Sequence, residues 1–266
     1  MRARAVVLGD NETMSVTEKR RGIWSPEKRR PSLFWLLAGS ILPFWSLMVR
    51  YRYTPKTTLP AKGPFILAPN HFSEIDPVAM GAAVWHLGRL PRFMAKASLF
   101  KVPVFGWLLR GSGQIPVERA GAAGRGNPIS AATQLIEKGQ GVIVYPEGTL
   151  TRDPDLWPMR GKTGAVRLAL ESGIPLYPAA HWGTQELMPR YGKKIHPFPR
   201  KTIHVSIGEP VDLSEFGGKT DQKTVTAATE KLMVAISALL GELRGETPPA
   251  TRWNPADHQQ TETGRF

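Results

Sequence analysis

Residues 64–80 read PFILAPNHFSEIDPVAM and contain the passage from strand to helix that decides the fold. The apolar run at 64–68 predicts a buried strand. Asp76 followed by Pro77 is a helix-start signal, because aspartate caps free backbone amides and proline loses no hydrogen bond in the first helical turn. A strand, a short polar loop and a helix are therefore expected in that order.

The same alternation of short apolar runs and longer helical patterns continues along the chain. Strands are predicted at 64–68, 92–95, 114–117, 141–145, 175–180 and 202–207, and helices at 77–87, 98–110, 128–138, 162–171 and 224–243. This alternation is typical of an α/β fold, with a mostly buried mixed sheet flanked by helices.

Composition divides the chain into four regions. Residues 1–24 are polar and basic without periodicity, and are predicted to be mobile. Residues 25–54 are predicted to form a membrane-associated helical segment, and 55–245 the folded domain. Residues 246–266 are polar and proline-rich, which predicts a disordered tail.

The segment from Leu33 to Val49 carries no charge and is 17 residues long, at the lower limit for a spanning helix, where about 20 are usual. Basic residues flank it on both sides, so no charge asymmetry sets a transmembrane orientation: Lys28, Arg29 and Arg30 before it, and Arg50, Arg52 and Lys56 after it. With Pro43 inside, it is expected to lie in one leaflet with its flanks on anionic headgroups. A buried core helix is the alternative.

The charge and the missing cysteine limit the partners and the chemistry. Lysine and arginine total 35 against 22 acidic residues, a net charge of +13 that points to phosphate-bearing partners. The basic residues scatter without a recognised reading module, which disfavours nucleic acid. The absence of cysteine excludes disulfides, cysteine-ligated metals and a catalytic thiolate. The histidines show no metal-ligand spacing, so no metal is expected.

The first candidate site residues are His71 and Asp76, five positions apart. On a continuous helix their side chains would point about 140° apart, so they meet only if the chain between them turns. A histidine whose ring nitrogen is held by a carboxylate is suited to act as a general base for a hydroxyl. The alternative is an ordinary capping aspartate beside a surface histidine.

The second candidate loop is YPEGTLTRD at 145–153, directly after a predicted strand. Three of its residues are suited to holding a phosphate through backbone amides, a hydroxyl or a guanidinium: Gly148, Thr149 and Arg152. An acid in such a site must hold a hydroxyl, orient a cation or take part in catalysis, and Glu147 is that acid. A solvated turn is the alternative.

The third loop, GQIPVERAG at 113–121, places Arg119 just after a strand-like run. A guanidinium there matches a phosphate in a bidentate way, or pairs with a neighbouring side chain. Spacing alone does not choose between these two roles.

Four blocks of the sequence, in the same order and at similar spacing, resemble those of the glycerolipid acyltransferases. The blocks are NHFSEID with its His-x-x-x-x-Asp signature, GQIPVER, YPEGTLT and GIPLYPAA. The resemblance covers about residues 60–210 and is nearest to the bacterial 1-acyl-sn-glycerol-3-phosphate acyltransferases.

The resemblance implies a membrane enzyme, expected at the cytoplasmic face of the cell membrane and working without a cofactor. It would move a fatty acyl group from acyl-CoA or acyl-carrier protein to the sn-2 hydroxyl of a lysophospholipid, 1-acylglycerol 3-phosphate. By the family pattern, His71 takes the hydroxyl proton and Asp76 holds its imidazole. Arg119 and the block Glu147, Gly148 and Thr149 contribute to binding the glycerol phosphate.

One position departs from the family pattern. The family commonly has arginine directly after Glu-Gly-Thr, whereas this chain has Leu150, with Arg152 two places later. The acceptor therefore stays open: glycerol 3-phosphate or another lysolipid is an alternative on the same fold. A non-catalytic basic protein of the membrane surface is the remaining alternative.

Overall fold

The computed structural model describes residues 25–29, 32–117 and 128–261. The strands are β1 (Val49–Tyr53), β2 (Phe65–Pro69), β3 (Met94–Lys96), β4 (Ile115–Val117), β5 (Gly141–Ile143), β6 (Leu176–Trp182) and β7 (Lys201–Ile207). The helices are α1 (Pro26–Arg29), α2 (Leu33–Met48), α3 (Asp76–His86), α4 (Phe105–Gly111), α5 (Pro128–Lys138), α6 (Gly164–Ser172), α7 (Thr184–Leu187) and α8 (Gln222–Arg244). Short 3-10 helices lie at Ala97–Lys101, Ser214–Phe216 and Pro255–His258.

Five strands form the main sheet in the order β1-β7-β6-β2-β5. All neighbouring pairs are parallel except β6 with β7, which confirms the predicted mixed sheet. A second, two-stranded parallel sheet joins β3 and β4, and a bridge between Phe93 and Ile143 connects it to the main sheet.

Helices cover both faces of the main sheet, because successive side chains of a strand point to opposite faces. Phe65 and Leu67 of β2 pack on one face in a cluster with residues of α3. Ile66 and Ala68 pack on the other face, in a cluster with residues of α6 and α8. Strand β2 is buried along its whole length, as its unbroken apolar run predicts. The predicted α/β class is therefore confirmed.

The predicted helical segment at 25–54 differs from the structure at its end. Helix α2 runs continuously through Pro43 and stops at Met48, and Val49–Tyr53 form the edge strand β1 beside β7. Lys28, predicted to meet lipid headgroups, is buried instead, and its ammonium donates to the carbonyl oxygen of Trp85. The segment is therefore attached to the folded domain at both ends.

The prediction of a disordered tail over 246–266 is wrong for residues 246–261. Trp253 stacks on His258 with ring centroids 3.5 Å apart, and its carbonyl oxygen accepts the backbone N–H of Arg160. Pro255 is buried, and Arg252 pairs with Glu230 of α8. The folded domain therefore extends beyond residue 245, because these contacts with distant parts of the chain order a polar segment.

Among the described helices, α8 is long and apolar enough to cross a membrane, but 44% of its most apolar stretch is buried. That burial is against the main sheet, as expected for a core helix. Helix α2 is apolar but shorter. Its outer side chains are exposed, namely Trp35, Leu36, Ile41, Phe44 and Leu47.

Candidate active site

The candidate site lies at one edge of the main sheet, where three parallel strands end together. His71 follows β2, the loop with Glu147 follows β5, and Thr184 follows β6. The carboxyl ends of neighbouring parallel strands share an edge, which is where ligands of open α/β sheets bind. Three of the sequence blocks are therefore brought together by strand topology.

His71 and Asp76 form the centre of the site. The Nδ1 atom of His71 lies 3.0 Å from Oδ2 of Asp76. With Asp76 ionised, Nδ1 carries the proton, so Nε2 is left as the basic nitrogen. The His71 side chain is 15% exposed and Asp76 is fully buried, so a substrate can reach the imidazole but not the carboxylate.

The turn that brings these two side chains together differs from the predicted one. Asp76 is the first residue of α3, its N-cap position is Ile75, and no side chain caps the helix amides. The carboxylate of Asp76 instead accepts the backbone N–H groups of Phe72 and Ser73, each at 2.8 Å. Asp76 therefore closes the loop in front of the helix and holds the imidazole with the same oxygen.

Thr184 and His181, both from the β6 end, complete the surroundings of Asp76. The hydroxyl of Thr184 donates to Oδ1 at 2.6 Å, and Nε2 of His181 lies 3.7 Å from Oδ2. Burial alone would raise the pKa of Asp76, but the imidazoles of His181 and His71 and the hydrogen bonds from His71 and Thr184 outweigh it. The pKa of Asp76 is therefore lowered, and the carboxylate is ionised at neutral pH.

His181 has a structural role in the site. Its side chain is fully buried, and burial lowers its pKa. The Nε2 atom lies 3.1 Å from the carbonyl oxygen of Asn70, and the Asn70 side chain in turn bonds both backbone groups of His181. This pair joins the end of β2 to β6 immediately before His71.

Glu147 is fully buried, and its carboxylate accepts two backbone N–H groups. Its Oε1 accepts the N–H of His71 at 2.9 Å, and its Oε2 accepts the N–H of Met159 at 3.0 Å. Burial raises the pKa of Glu147 to about 8, although the backbone hydrogen bonds from Met159 and His71 act in the opposite direction. Holding two backbone amides is a role that the three sequence alternatives did not include.

The remaining predicted site residues fall in different places. Gly148 is exposed with φ +70°, in the left-handed region that favours glycine, and Thr149 is half-buried beside it. Arg152 is buried, and its Nη2 donates to Thr261 in the C-terminal segment. Arg119 lies outside the described residues, so its predicted contact with phosphate stays a prediction.

Two contacts of His71 were not expected from the sequence. The ring of Tyr145 stacks on the imidazole, with centroids 4.1 Å apart, and the N–H of Thr151 donates to the His71 carbonyl oxygen at 2.7 Å. Both partners belong to the loop after β5, so the Pro-Glu-Gly-Thr block was a signal that could have suggested them. Within the described ranges, no group of three metal-binding side chains is found.

A comparison with protein families gives a match to the family model described as Acyltransferase over residues 50–182, half of the chain. A 1-acyl-sn-glycerol-3-phosphate acyltransferase of Bacillus subtilis is 31% identical over 71% of this chain and 87% of its own length. A chloroplastic 1-acyl-sn-glycerol-3-phosphate acyltransferase of Brassica napus is 30% identical over 59% of this chain. The matched part spans 42% of that plant relative.

Among solved structures, the chain resembles the 1-acyl-sn-glycerophosphate acyltransferase PlsC of Thermotoga maritima. The TM-score is 0.58, over 84% of this chain and 81% of the other, at 24% identity. At that identity the likeness supports a shared fold and no more. The mixed sheet flanked by helices agrees with that fold.

Proposed function

The chain belongs to the acyltransferase family, and on that premise we propose that it transfers a fatty acyl group from an acyl thioester to the sn-2 hydroxyl of 1-acylglycerol 3-phosphate. The resemblance found in the sequence motifs is confirmed by the family match, and the predicted enzyme class is confirmed at the level of the family. Phosphatidic acid and a free thiol are the proposed products.

The observation that carries the proposal is the pairing of His71 with the buried, ionised Asp76. Nε2 of His71 accepts the proton of the acceptor hydroxyl as its oxygen forms a bond to the thioester carbonyl carbon. The carbon–sulfur bond then breaks, and the departing thiolate takes the proton from Nε2. Asp76 stabilises the imidazolium between these two transfers.

Nothing else is consumed in this scheme. The thioester already supplies an activated acyl group, so the reaction needs no cofactor. The chain has no cysteine, and a covalent acyl-thioester enzyme is therefore not part of the scheme. The proposed acyl donor is a thioester of either coenzyme A or acyl-carrier protein.

The choice of acceptor rests on the names of relatives. The relatives from Bacillus subtilis and Brassica napus carry the name 1-acyl-sn-glycerol-3-phosphate acyltransferase. A relative from Arabidopsis thaliana that is 28% identical is named N-acylphosphatidylethanolamine synthase. The relatives of this chain therefore carry more than one named activity, and glycerol 3-phosphate or another lysolipid is kept as the second candidate acceptor.

An acceptor panel tests the proposal. The purified full chain in detergent micelles is mixed with long-chain acyl-CoA or acyl-carrier protein and with one of three acceptors: 1-acylglycerol 3-phosphate, glycerol 3-phosphate or 1-acylglycerophosphocholine. We expect transfer to 1-acylglycerol 3-phosphate to be the fastest, measured by release of the thiol and mass of the lipid product. Transfer only to another acceptor would contradict the named substrate, and transfer to none would contradict the proposed function.

We also propose that the enzyme lies on the cytoplasmic face of an anionic membrane, held there by α2. Phe34 and Trp45 of α2 are buried, whereas Leu36, Phe44 and Leu47 are exposed. The helix therefore has one side fixed to the protein and one apolar side available to lipid. The expected absence of nucleic-acid binding stays a prediction.

Replacing Leu36, Phe44 and Leu47 together by serine is expected to weaken vesicle binding by at least about 100-fold. Burying one large apolar side chain contributes about 1.5–3 kcal/mol, and about 1.4 kcal/mol corresponds to tenfold in affinity. Co-sedimentation with vesicles of phosphatidylglycerol and phosphatidylcholine measures the effect. Val234→Ser, at an exposed apolar position of α8, is the matched control, and equal sedimentation of the two variants would contradict the proposal.

A further inference from the structure

A cavity of about 600 Å³ lies beside the His71 site and has no role in the mechanism above. Its walls are the loop at 159–163, the N-terminal part of α8 and the C-terminal segment at 250–255. Glu147 lines it as well, and the same carboxylate holds the backbone of His71. The cavity and the proposed catalytic base are therefore separated by one buried side chain.

The charged groups of this cavity do not balance. Its cationic side chains are Arg160, Lys162 and Arg252, and its acidic ones are Glu147 and Glu230. Arg252 and Glu230 pair with each other, and the oxygens of Glu147 are directed at backbone amides. Within the described ranges Lys162 makes no ion pair, so its ammonium adds net positive charge to the wall.

Lys162 is held at the Pro-Glu-Gly-Thr block by contact with Gly148. A β-carbon added at Gly148 would lie 2.9 Å from Cδ and 3.5 Å from Nζ of Lys162. The lysine stem therefore lies directly over the glycine, and the backbone N–H of Lys162 fixes this arrangement by donating to the carbonyl oxygen of Pro146 at 2.7 Å. A side chain at position 148 would push the ammonium away.

Two other positions of this block at which a cation could meet phosphate, 150 and 152, do not line the cavity. Leu150 occupies the place after Glu-Gly-Thr and is buried in the protein. Arg152 is buried and donates to Thr261. Of these three side chains, that of Lys162 is the exposed one, so its charge is open to a ligand in the cavity.

We propose that this cavity binds the phosphate ester of a substrate, with Lys162 as the specificity-determining cation. The inference rests on the proposed function, because both of its substrate classes carry such a group: the acceptor in its glycerol phosphate, and acyl-CoA in its nucleotide. A volume of this size accommodates either group, since ligand pockets of about 300–1,000 Å³ hold molecules of comparable size.

Calorimetric titration of the full chain in micelles tests the inference, with glycerol 3-phosphate and adenosine 3′,5′-bisphosphate as separate probes. Lys162→Met keeps most of the stem and removes the charge, and we expect it to weaken binding of one probe by about 10–100-fold, the usual effect of losing one charge-assisted hydrogen bond. Lys162→Arg should keep the binding. Lys194→Met, at an exposed lysine outside the cavity, should change nothing.

Glu230→Gln is expected to have the opposite effect on probe binding to that of Lys162→Met. It removes a negative charge from the cavity wall and releases Arg252, so we expect the same probe to bind about two- to fivefold more tightly. Damage to the fold would weaken binding in every variant and would not produce this gain. Melting temperatures of all variants identify any that are unfolded.

The outcomes separate the two sources of phosphate. Weaker binding of glycerol 3-phosphate alone assigns the cavity to the acceptor, and weaker binding of the bisphosphate alone assigns it to acyl-CoA. If neither probe binds the wild type, or if Lys162→Met matches Lys194→Met, the inference is overturned. Acyl transfer by the wild type in the acceptor panel would then still support the proposed function, so the two proposals fail separately.

Discussion

Replacing His71 by alanine is expected to lower kcat/KM for acyl transfer by about 1,000-fold. The variant removes Nε2, the atom proposed to accept the hydroxyl proton, and a positioned general base contributes about 10²–10⁴-fold. The other histidine beside Asp76, His181, is not placed to take over. His181 is fully buried, and its Nε2 lies beside the carbonyl oxygen of Asn70.

The variant should still fold, which makes its kinetics interpretable. The two hydrogen bonds that fix residue 71 to the neighbouring loop use its backbone, with Glu147 accepting its N–H and Thr151 donating to its carbonyl oxygen. Alanine keeps both bonds and loses the contacts of the imidazole with Tyr145 and Asp76, whose carboxylate still accepts from Phe72, Ser73 and Thr184. An unchanged far-ultraviolet circular dichroism spectrum would confirm that the fold is retained.

His196→Ala is the matched control, because this histidine is exposed and its backbone N–H bonds Leu187. Initial rates over a range of acceptor concentrations, at fixed acyl-CoA, give kcat and KM separately. We expect the loss in His71→Ala to fall on kcat. Full activity in that variant, or an equal loss in His196→Ala, would show that another group accepts the proton.

Local patterns in the sequence predicted the elements around this site well. The apolar run at 64–68 became β2, and the Asp-Pro signal became the start of α3, because both depend on neighbouring residues. The meeting of His71 with Asp76 was also predictable, since it needs only a turn within one loop. The backbone amides that Asp76 binds were harder to predict. They belong to Phe72 and Ser73, before the helix, and a helix-start signal does not reveal which amides the carboxylate will face.

Contacts between distant parts of the chain account for what the sequence did not predict. Residues 49–53 directly follow the apolar segment and form β1 because β7, far along the chain, offers an edge to pair with. Residues 246–261 are polar, yet they are ordered by contacts with Arg160 and Glu230. Thr184 has no local pattern that marks it as a partner of Asp76, since strand β6 alone brings it there.

Replacing Asp76 by asparagine is expected to lower kcat by about 100-fold while keeping the imidazole in place. The N–H groups of Phe72 and Ser73 can only donate, so the amide oxygen of asparagine must take the position of Oδ2 and continue to accept from them. The Nδ1–H of His71 then keeps its acceptor. What is lost is the negative charge that stabilises the imidazolium while Nε2 holds the proton, and removing one such electrostatic contribution costs about 10²–10³-fold in kcat.

The difference in unfolding free energy between the wild type and Asp76→Asn should depend on pH in a defined direction. Because the pKa of Asp76 is lowered in the folded protein, its ionised form stabilises the wild type above the unfolded aspartate pKa of about 3.9. That contribution disappears as the pH falls through the folded pKa, whereas asparagine contributes none at any pH. At neutral pH we expect Asp76→Asn to lower the free energy of unfolding by about 1–3 kcal/mol, because the amide satisfies its buried partners less well.

Urea unfolding of both proteins at pH 7, 5, 4 and 3 measures this difference. It should shrink below about pH 4, where the unfolded aspartate takes up its proton, and should reach its low limit below the lowered pKa of the folded carboxylate. Asp257→Asn is the control, because Asp257 is an exposed aspartate whose carboxylate accepts from the neighbouring Asn254. A difference that stayed the same down to pH 3 would mean that Asp76 is not held ionised by its surroundings, and the imidazolium in the proposed mechanism would then lack its stabilising charge.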